Sequence, residues 1–350
     1  MSRKTDTVVA STIGIDTGKN TLHLIGLDDR GAIVLREKLT RGRIAARLAN
    51  VPQCLIGIEA GMATHCVARE LIALGHDVKQ VPPVYAKPFR QGHKNDFRDA
   101  HAIAEAVQRP STRCVPVKTD DQLDLQALHR VRERLMARRT SVINQIRAFL
   151  LERGIVFAKS PIRLREAIPD VLENANENLT PRMRNLVAML WSEWKDLELQ
   201  IVEMNDEVER IASSDDACRR LRQIPGIGPL VATAIVASIG NGAAFHKGRE
   251  FAAWMGLLPK QHSTGGKARL SGISKRGNRY LRKILVHGAR AVVLRSKRDR
   301  IAMGAWITSL ERRAPRNVLI VAMANKLARI AWAVLSTGQD YRAVPDTVAA

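Results

Sequence analysis

Over the first 110 positions, apolar residues occur in short runs broken by turn residues. Val8–Asp16, Thr21–Leu27 and Ile33–Leu39 are separated by Gly18-Lys-Asn and by Asp28-Asp-Arg-Gly31, a pattern that predicts three strands of an antiparallel meander. The polar residues 1–7 before them are expected to be loose. A helix is predicted over Arg43–Ala49, a strand over Cys54–Glu59, a helix over Met62–Leu74 ended by Gly75, and a strand over His76–Val81 closed by Pro82-Pro83. A further helix opens within Lys94-Asn-Asp96-Phe-Arg-Asp99-Ala100 and runs to about Gln108, ahead of Pro110. Its stripe of Ala100, Ile103 and Val107 should press it against a sheet.

The period changes after residue 119. Leu128, Leu135, Val142 and Phe149 recur every seven residues along Asp120–Gly154, among Arg130, Arg132, Arg134, Arg138, Arg139 and Arg147. Leu186, Leu190, Trp194, Leu197, Ile201, Met204, Val208 and Ile211 are spaced four, four, three, four, three, four, three, the seam of a coiled coil. The stretch Ile155–Thr180 contains Pro161 and Pro169, so the two long helices should fold back as a hairpin. That pair reads equally as an intramolecular bundle or as an arm that dimerises or carries nucleic acid on its arginines. From Leu221, Ile224-Pro-Gly226-Ile-Gly228-Pro229 precedes a helix over Leu230–Ile239 and resembles a helix-hairpin-helix element. In such an element Gly226 and Gly228 would let backbone N–H groups approach a phosphate; a plain interhelical turn is the alternative. The expected domains are 1–118, an α/β carboxylate domain; 119–212, a coiled-coil helical hairpin; and 213–350, a mainly helical domain with a basic face.

Composition narrows the partners. The 350 residues carry 56 Lys and Arg against 34 acids, a net charge of +22 with a pI near 10.6, so a polyanion is the expected partner. Between Lys267 and Arg300 there are twelve basic residues and one acid, Asp299. Lys260, Lys267, Arg269, Lys275, Arg276, Arg279, Arg282 and Lys283 are the candidates for a phosphate-tracking surface, and sparse aromatics favour backbone contact over base stacking. No uninterrupted apolar run reaches spanning length and no amino-terminal signal pattern is present, so no membrane partner is expected. Cys54, Cys66, Cys114 and Cys218 are scattered and read as buried thiols of a cytoplasmic protein.

Four acids carry the candidate chemistry. Asp16 ends the first predicted strand, Glu59 ends the fourth, and Asp96 and Asp99 are three apart on one helix face. Buried together, they would repel one another unless a cation neutralised them. Such hard oxygen ligands suit Mg²⁺ or Mn²⁺, the ions used to attack phosphodiesters. The element order also resembles the ribonuclease-H-like fold, which holds metal-binding acids on its first strand, fourth strand and a late helix. Farther on, Ser263 lies in a small, cation-flanked loop among Lys260, His262, Lys267 and Arg269. By local chemistry it reads as a phosphate-binding hydroxyl before a nucleophile, with Thr264, Ser271 and Ser274 competing.

Together these motifs resemble one family. Ile-Gly-Ile-Asp16-Thr-Gly-Lys, Gly-Ile-Glu59-Ala and Asn-Asp96-Phe-Arg-Asp99-Ala are similar to the carboxylate domain of insertion-sequence-110 transposases. Ile-Pro-Gly-Ile-Gly, Trp-Met-Gly-Leu-Leu-Pro, Gln-His-Ser263-Thr-Gly-Gly-Lys and Ile-Ser-Lys-Arg-Gly-Asn-Arg-Tyr-Leu-Arg are similar to its carboxy-terminal domain, in the form of the insertion-sequence-1111 branch. The resemblance implies a RuvC-like domain whose DEDD quartet, Asp16, Glu59, Asp96 and Asp99, binds Mg²⁺. It implies a serine nucleophile at Ser263, with Thr264 as the competitor for that slot. It further implies a structured noncoding RNA partner, donor and target DNA, a dimer or tetramer, and a place at the prokaryotic nucleoid. Two other readings compete: a nuclease of the Holliday-junction-resolvase type, in which water attacks, and a non-catalytic scaffold whose acids cap strands or pair with Arg98 and Lys94.

Overall fold

The computed structural model describes residues 9–93, 95–174 and 178–342. The expected loose terminus over 1–7, and Lys94, lie outside them. The chain divides into two units, Met1–Asp120 and Asp121–Ala350.

In the first unit, β1 (Thr12–Thr17), β2 (Thr21–Leu27) and β3 (Ile33–Thr40) form the meander. They are followed by α1 (Ile44–Leu48), β4 (Leu55–Glu59), α2 (Thr64–Ala73), β5 (Asp77–Val81), α3 (Pro83–Ala86) and α4 (Asp96–Val107). The sheet order is β3-β2-β1-β4-β5, with β1 antiparallel to β2 and parallel to β4. Alternation then divides the faces. Ile13, Ile15, Ile56 and Ile58 pack with Ile44, Leu48, Val67 and Leu71 in one core. The other face carries Gly14 and Gly57, paired directly across β1 and β4. A Cβ on Gly14 would lie 2.0 Å from the Ala100 carbonyl oxygen, and one on Gly57 would lie 2.9 Å from the Val107 Cβ. The two glycines form a trough that lets α4 rest directly on the strands.

The second unit begins with α5 (Asp120–Leu151), α6 (Pro161–Glu173) and α7 (Pro181–Ser214). α5 and α7 run antiparallel, tied by Arg138–Glu193 (2.7 Å), Arg139–Glu198 (3.3 Å) and Arg132–Asn205 (2.7 Å). The region between them differs from expectation. It contains α6, capped by the Ser160 hydroxyl and continuing through Pro169, whose Leu164, Ile168 and Val171 join Ile146, Leu150, Val187 and Trp194 in one core. The arrangement is therefore three-helical rather than a two-helix hairpin. Of the expected seam, Trp194, Leu197, Ile201 and Val208 are buried, but Leu186 is exposed.

A second core gathers α8 (Asp216–Arg222), α9 (Pro229–Ile239), α10 (Gly248–Trp254), α11 (Arg279–Arg295), α12 (Gly304–Glu311) and α13 (Arg316–Thr337). Between α10 and α11 stands a two-stranded hairpin of β6 (Pro259–Thr264) and β7 (Lys267–Ile273). α13 has the length and mean hydropathy (1.7) of a membrane span, yet half of its apolar window is buried inside the unit and it carries Lys326 and Arg329. It is the central core helix here. Among the cysteines, Cys54 and Cys218 are buried, but Cys114 is only half-buried and Cys66 is exposed, so the expectation of four buried thiols fails at those two.

Candidate metal centre and nucleic-acid surface

Asp16 follows Ile15, which pairs with Ile58, so Asp16 and Glu59 stand side by side where the two parallel strands end. Both lie on the glycine face, two residues beyond Gly14 and Gly57. The trough brings the first turn of α4 to the same place. Asn95 caps that helix by accepting from the Phe97 N–H (2.9 Å), and Asp96 and Asp99 occupy its first turn, where the helix dipole favours negative charge. One carboxylate oxygen each from Asp16, Asp96 and Asp99 lie within 4.8 Å of one another. Glu59 stands beside them at the end of the neighbouring parallel strand, close enough for its charge to act on Asp16. Burial, then the charges of Glu59, Asp96 and Asp99, push the Asp16 carboxyl up from 3.8 to about 6.

The acids are less enclosed than the sequence suggested: Asp16, Glu59 and Asp99 are half-buried and Asp96 is exposed. They form an open rim rather than a sealed pocket. Oxygens sharing one octahedral ion lie roughly 3–4 Å apart, so small side-chain rotations would bring this all-carboxylate set onto Mg²⁺ or Mn²⁺.

Several supporting residues gave no sequence signal. His23, opposite Asp16 on β2, places Nδ1 3.7 Å from Asp96 and meets Phe97 edge-on. Arg36 covers the Phe97 ring at 4.5 Å. Arg90 pairs with Asp99 at 3.3 Å, whereas Arg98 donates to the His93 carbonyl and not to an acid. Arg41 donates to the carbonyls of Gly18 and Ala63, joining the turns beyond β1 and β4. The only legible trace of this support was the repeated Gly-Ile-acid spelling at Gly14 and Gly57.

In the second unit Ser263 lies on β6 of the hairpin and not in a loop. Thr264 pairs with Lys267 around Gly265-Gly266, both at positive φ (55° and 76°), the geometry a two-residue hairpin turn demands. Ser263 pairs with Ala268 and accepts from the Gln261 amide at 2.8 Å. His262 pairs with Arg269, so the cations expected around Ser263 lie on the opposite face, with Thr264. The hairpin is exposed up to Ile273, which is half-buried, and Leu270 is among its exposed residues.

The remaining candidates divide. Lys260, Lys267, Arg269, Lys275, Arg276 and Arg279 are exposed. Arg282 is spoken for structurally, donating to the carbonyls of Met255 (2.8 Å) and Arg276 (3.1 Å), and Lys283 pairs with Glu133. Gly228 is exposed as the N-cap of α9, whereas Gly226 (φ 90°) is pressed against α11, where its own carbonyl would meet a Cβ on Gly288 at 2.1 Å. Gly226 is thus needed for packing in addition to any phosphate approach.

The mixed five-stranded sheet of this order is consistent with a ribonuclease-H-like α/β domain, with an acidic cluster at its strand ends, and the rest of the chain is mainly helical. Residues 13–154 match a family described as transposase, of the DEDD type of the IS110 group, and residues 218–303 match the one described as Transposase IS116/IS110/IS902 family. The chain is 42% identical over 336 residues to a probable family 20 transposase of Pseudomonas aeruginosa, covering 95% of this chain and 98% of that one. It is 37% identical over 331 residues to the transposase for insertion sequence element IS1111A of Coxiella burnetii (94% and 91% covered). Over 331 residues it is 39% identical to the transposase for IS1328 of Yersinia enterocolitica (94% and 98% covered). The chain belongs to the IS116/IS110/IS902 family of transposases.

Proposed function

We propose that the chain mobilises its own insertion sequence by metal-dependent cleavage and rejoining of DNA, with Asp16, Glu59, Asp96 and Asp99 as the Mg²⁺ or Mn²⁺ ligands and Ser263 as nucleophile. The observation that carries this reading is the meeting of three carboxylates, Asp16, Asp96 and Asp99, within 4.8 Å, with Glu59 at the adjacent strand end. A divalent ion held there would polarise the scissile phosphate and steady the leaving oxygen. The chain's own residues set the stage: the α4 first turn supplies two ligands, Arg90 offsets charge at Asp99, and Arg41 fixes the two flanking turns. The Ser263 Oγ would form a bond to phosphorus as one phosphorus–deoxyribose oxygen bond breaks, its proton leaving to a base; the covalent link keeps the bond energy for rejoining.

Lys260, Lys267, Arg269, Lys275, Arg276 and Arg279 would track the DNA backbone, with the turn at Gly226 and Gly228 as a further phosphate contact. The division at residues 118 and 212 assigns ligands, assembly and serine to three segments. The resemblance further implies an element-derived structured RNA as guide, a dimeric or tetrameric assembly through α5 and α7, and action in the cytoplasm, at the nucleoid. The test is DNA cleavage on Mg²⁺ titration: Asp16→Ala should lose it, and unchanged cleavage would remove the quartet from the reaction. A resolvase-type nuclease would cleave with Mg²⁺ yet never form a protein–DNA adduct.

A further inference from the structure

A groove of about 1400 Å³ runs along α13 in the second unit. Its floor is apolar and aromatic: Val318, Val321, Ile330 and Trp332 of α13, faced by Trp306 of α12. Its rim holds Lys247, Arg249 and Arg329, and none of the described residues lining it is acidic. Val318 is 54% exposed at one end, and Arg329 is exposed near the other. Trp332 is held in place by its indole N–H, which donates to the Gly242 carbonyl at 3.1 Å, and Lys326 sits over the Trp306 ring at 4.6 Å. We propose that this groove takes an unpaired nucleic-acid strand, with its bases on the apolar floor and its phosphates on the cationic rim.

Three arguments select that occupant. The groove exceeds the roughly 300–1,000 Å³ of a small-ligand pocket, so it has room for several consecutive groups. A second copy of the chain would bring one cationic rim against another protein of net charge +22, a like-charge contact, whereas a polyanion complements it. A duplex hides the apolar faces of its bases and gains nothing from tryptophan and valine, whereas unpaired bases present those faces. The place fits as well. Pro259 and Ile273, the pair that opens the serine hairpin, both line the groove, so an unpaired strand seated there lies at the root of the element that carries Ser263. The proposal rests on the reading of this chain as a nucleic-acid enzyme and names the form of nucleic acid that one surface selects.

The test is fluorescence anisotropy with a labelled oligothymidylate and, separately, a duplex of the same length. It uses the parent protein, Val318→Asp, Arg329→Glu and the conservative Arg329→Lys. Val318 and Arg329 are both exposed, so the variants should fold. Val318→Asp and Arg329→Glu are each expected to weaken oligothymidylate binding by about tenfold or more, with duplex binding changed by less than about twofold and Arg329→Lys near the parent. Equal losses for both nucleic acids, or no loss for either, would overturn the groove assignment. So would a parent that binds duplex but not oligothymidylate. Val318→Asp lowering the assembly mass in light scattering, with oligothymidylate affinity intact, would give the groove to a second protomer instead. A parent that binds neither nucleic acid would refute the enzymatic reading itself.

Discussion

Gly14 and Gly57 face each other across β1 and β4, and α4 rests on both. Each stands two residues before an acid, Asp16 or Glu59, so the same trough that seats the helix delivers Asp96 and Asp99 to the strand ends. Adding a methyl group at either glycine should therefore damage stability and ligand geometry together. At Gly14 the new Cβ meets backbone, the Ala100 oxygen at 2.0 Å and the Ala104 nitrogen at 2.5 Å, whereas at Gly57 its nearest contacts are side chains at 2.9 and 3.0 Å, with the Ile103 oxygen at 3.1 Å. Gly14→Ala should cost more than Gly57→Ala, against the usual ~1–3 kcal/mol of overpacking. Urea midpoints of the two variants check the order, and equal midpoints would mean that α4 shifts freely.

The Asp16 carboxyl, pushed up to about 6, gives the metal-free protein a pH signature. The folded form binds this proton more tightly than the unfolded chain, whose carboxyl titrates near 3.8. The contribution of Asp16 to stability is therefore most favourable below 3.8 and declines as pH rises through about 6. Divalent binding runs the other way, because the ion needs the carboxylate. Mn²⁺ affinity should climb between about pH 5 and about pH 7, and Glu59→Gln, which removes the largest charge acting on Asp16, should move that rise to lower pH. An affinity flat over the interval would show that Asp16 is not a ligand.

How much of this was written in the sequence varies by element. The strand runs, the helix at Asp96 and the placement of Asp16 and Glu59 were legible because apolar periodicity and buried strand ends are local signals. The openness of the acid site was not, since exposure depends on what covers the strand ends. The hairpin at Ser263 was missed because all of β6 and nearly all of β7 are exposed, so no apolar alternation marks the strands; the Gly265-Gly266 turn was their only signature. α6 was missed because Pro161 and Pro169 read as breaks, whereas Pro161 sits at the first helical position and Pro169 is carried within the helix. His23 and Arg41 act through partners distant in sequence, and Arg90 through Asp99 nine residues on, separations that no helix or strand spacing rule reaches.

The hairpin geometry sharpens the nucleophile test. Ser263 shares a face with Gln261, and Thr264 shares the cationic face with His262 and Arg269. Ser263→Ala should abolish the covalent protein–DNA adduct seen on denaturing gels while leaving binding intact, and Thr264→Val should retain the adduct. The reverse pattern would move the nucleophile to Thr264 and its cations.

Salt dependence separates bound phosphates from structural arginines. The log–log slope of duplex affinity against salt should fall by about 0.9 for each cation removed that contacts a phosphate. Substituting Lys267, Arg269, Lys275, Arg276 or Arg279 by Gln should reduce the slope. Arg282→Gln should instead lower the melting temperature, because its guanidinium holds the Met255 and Arg276 carbonyls. A reduced slope with unchanged melting for Arg282→Gln would contradict that division.

The most direct measurement is Mn²⁺ binding to the DNA-free protein at neutral pH, followed by the electron-spin signal of the free ion. The parent should bind, and an Asp16→Asn, Asp99→Asn double variant with unchanged circular dichroism should bind at least about a hundredfold more weakly, more than the 10–100-fold usual for losing an outer partner. Equal affinity in the two proteins would show that these carboxylates meet for some reason other than a cation.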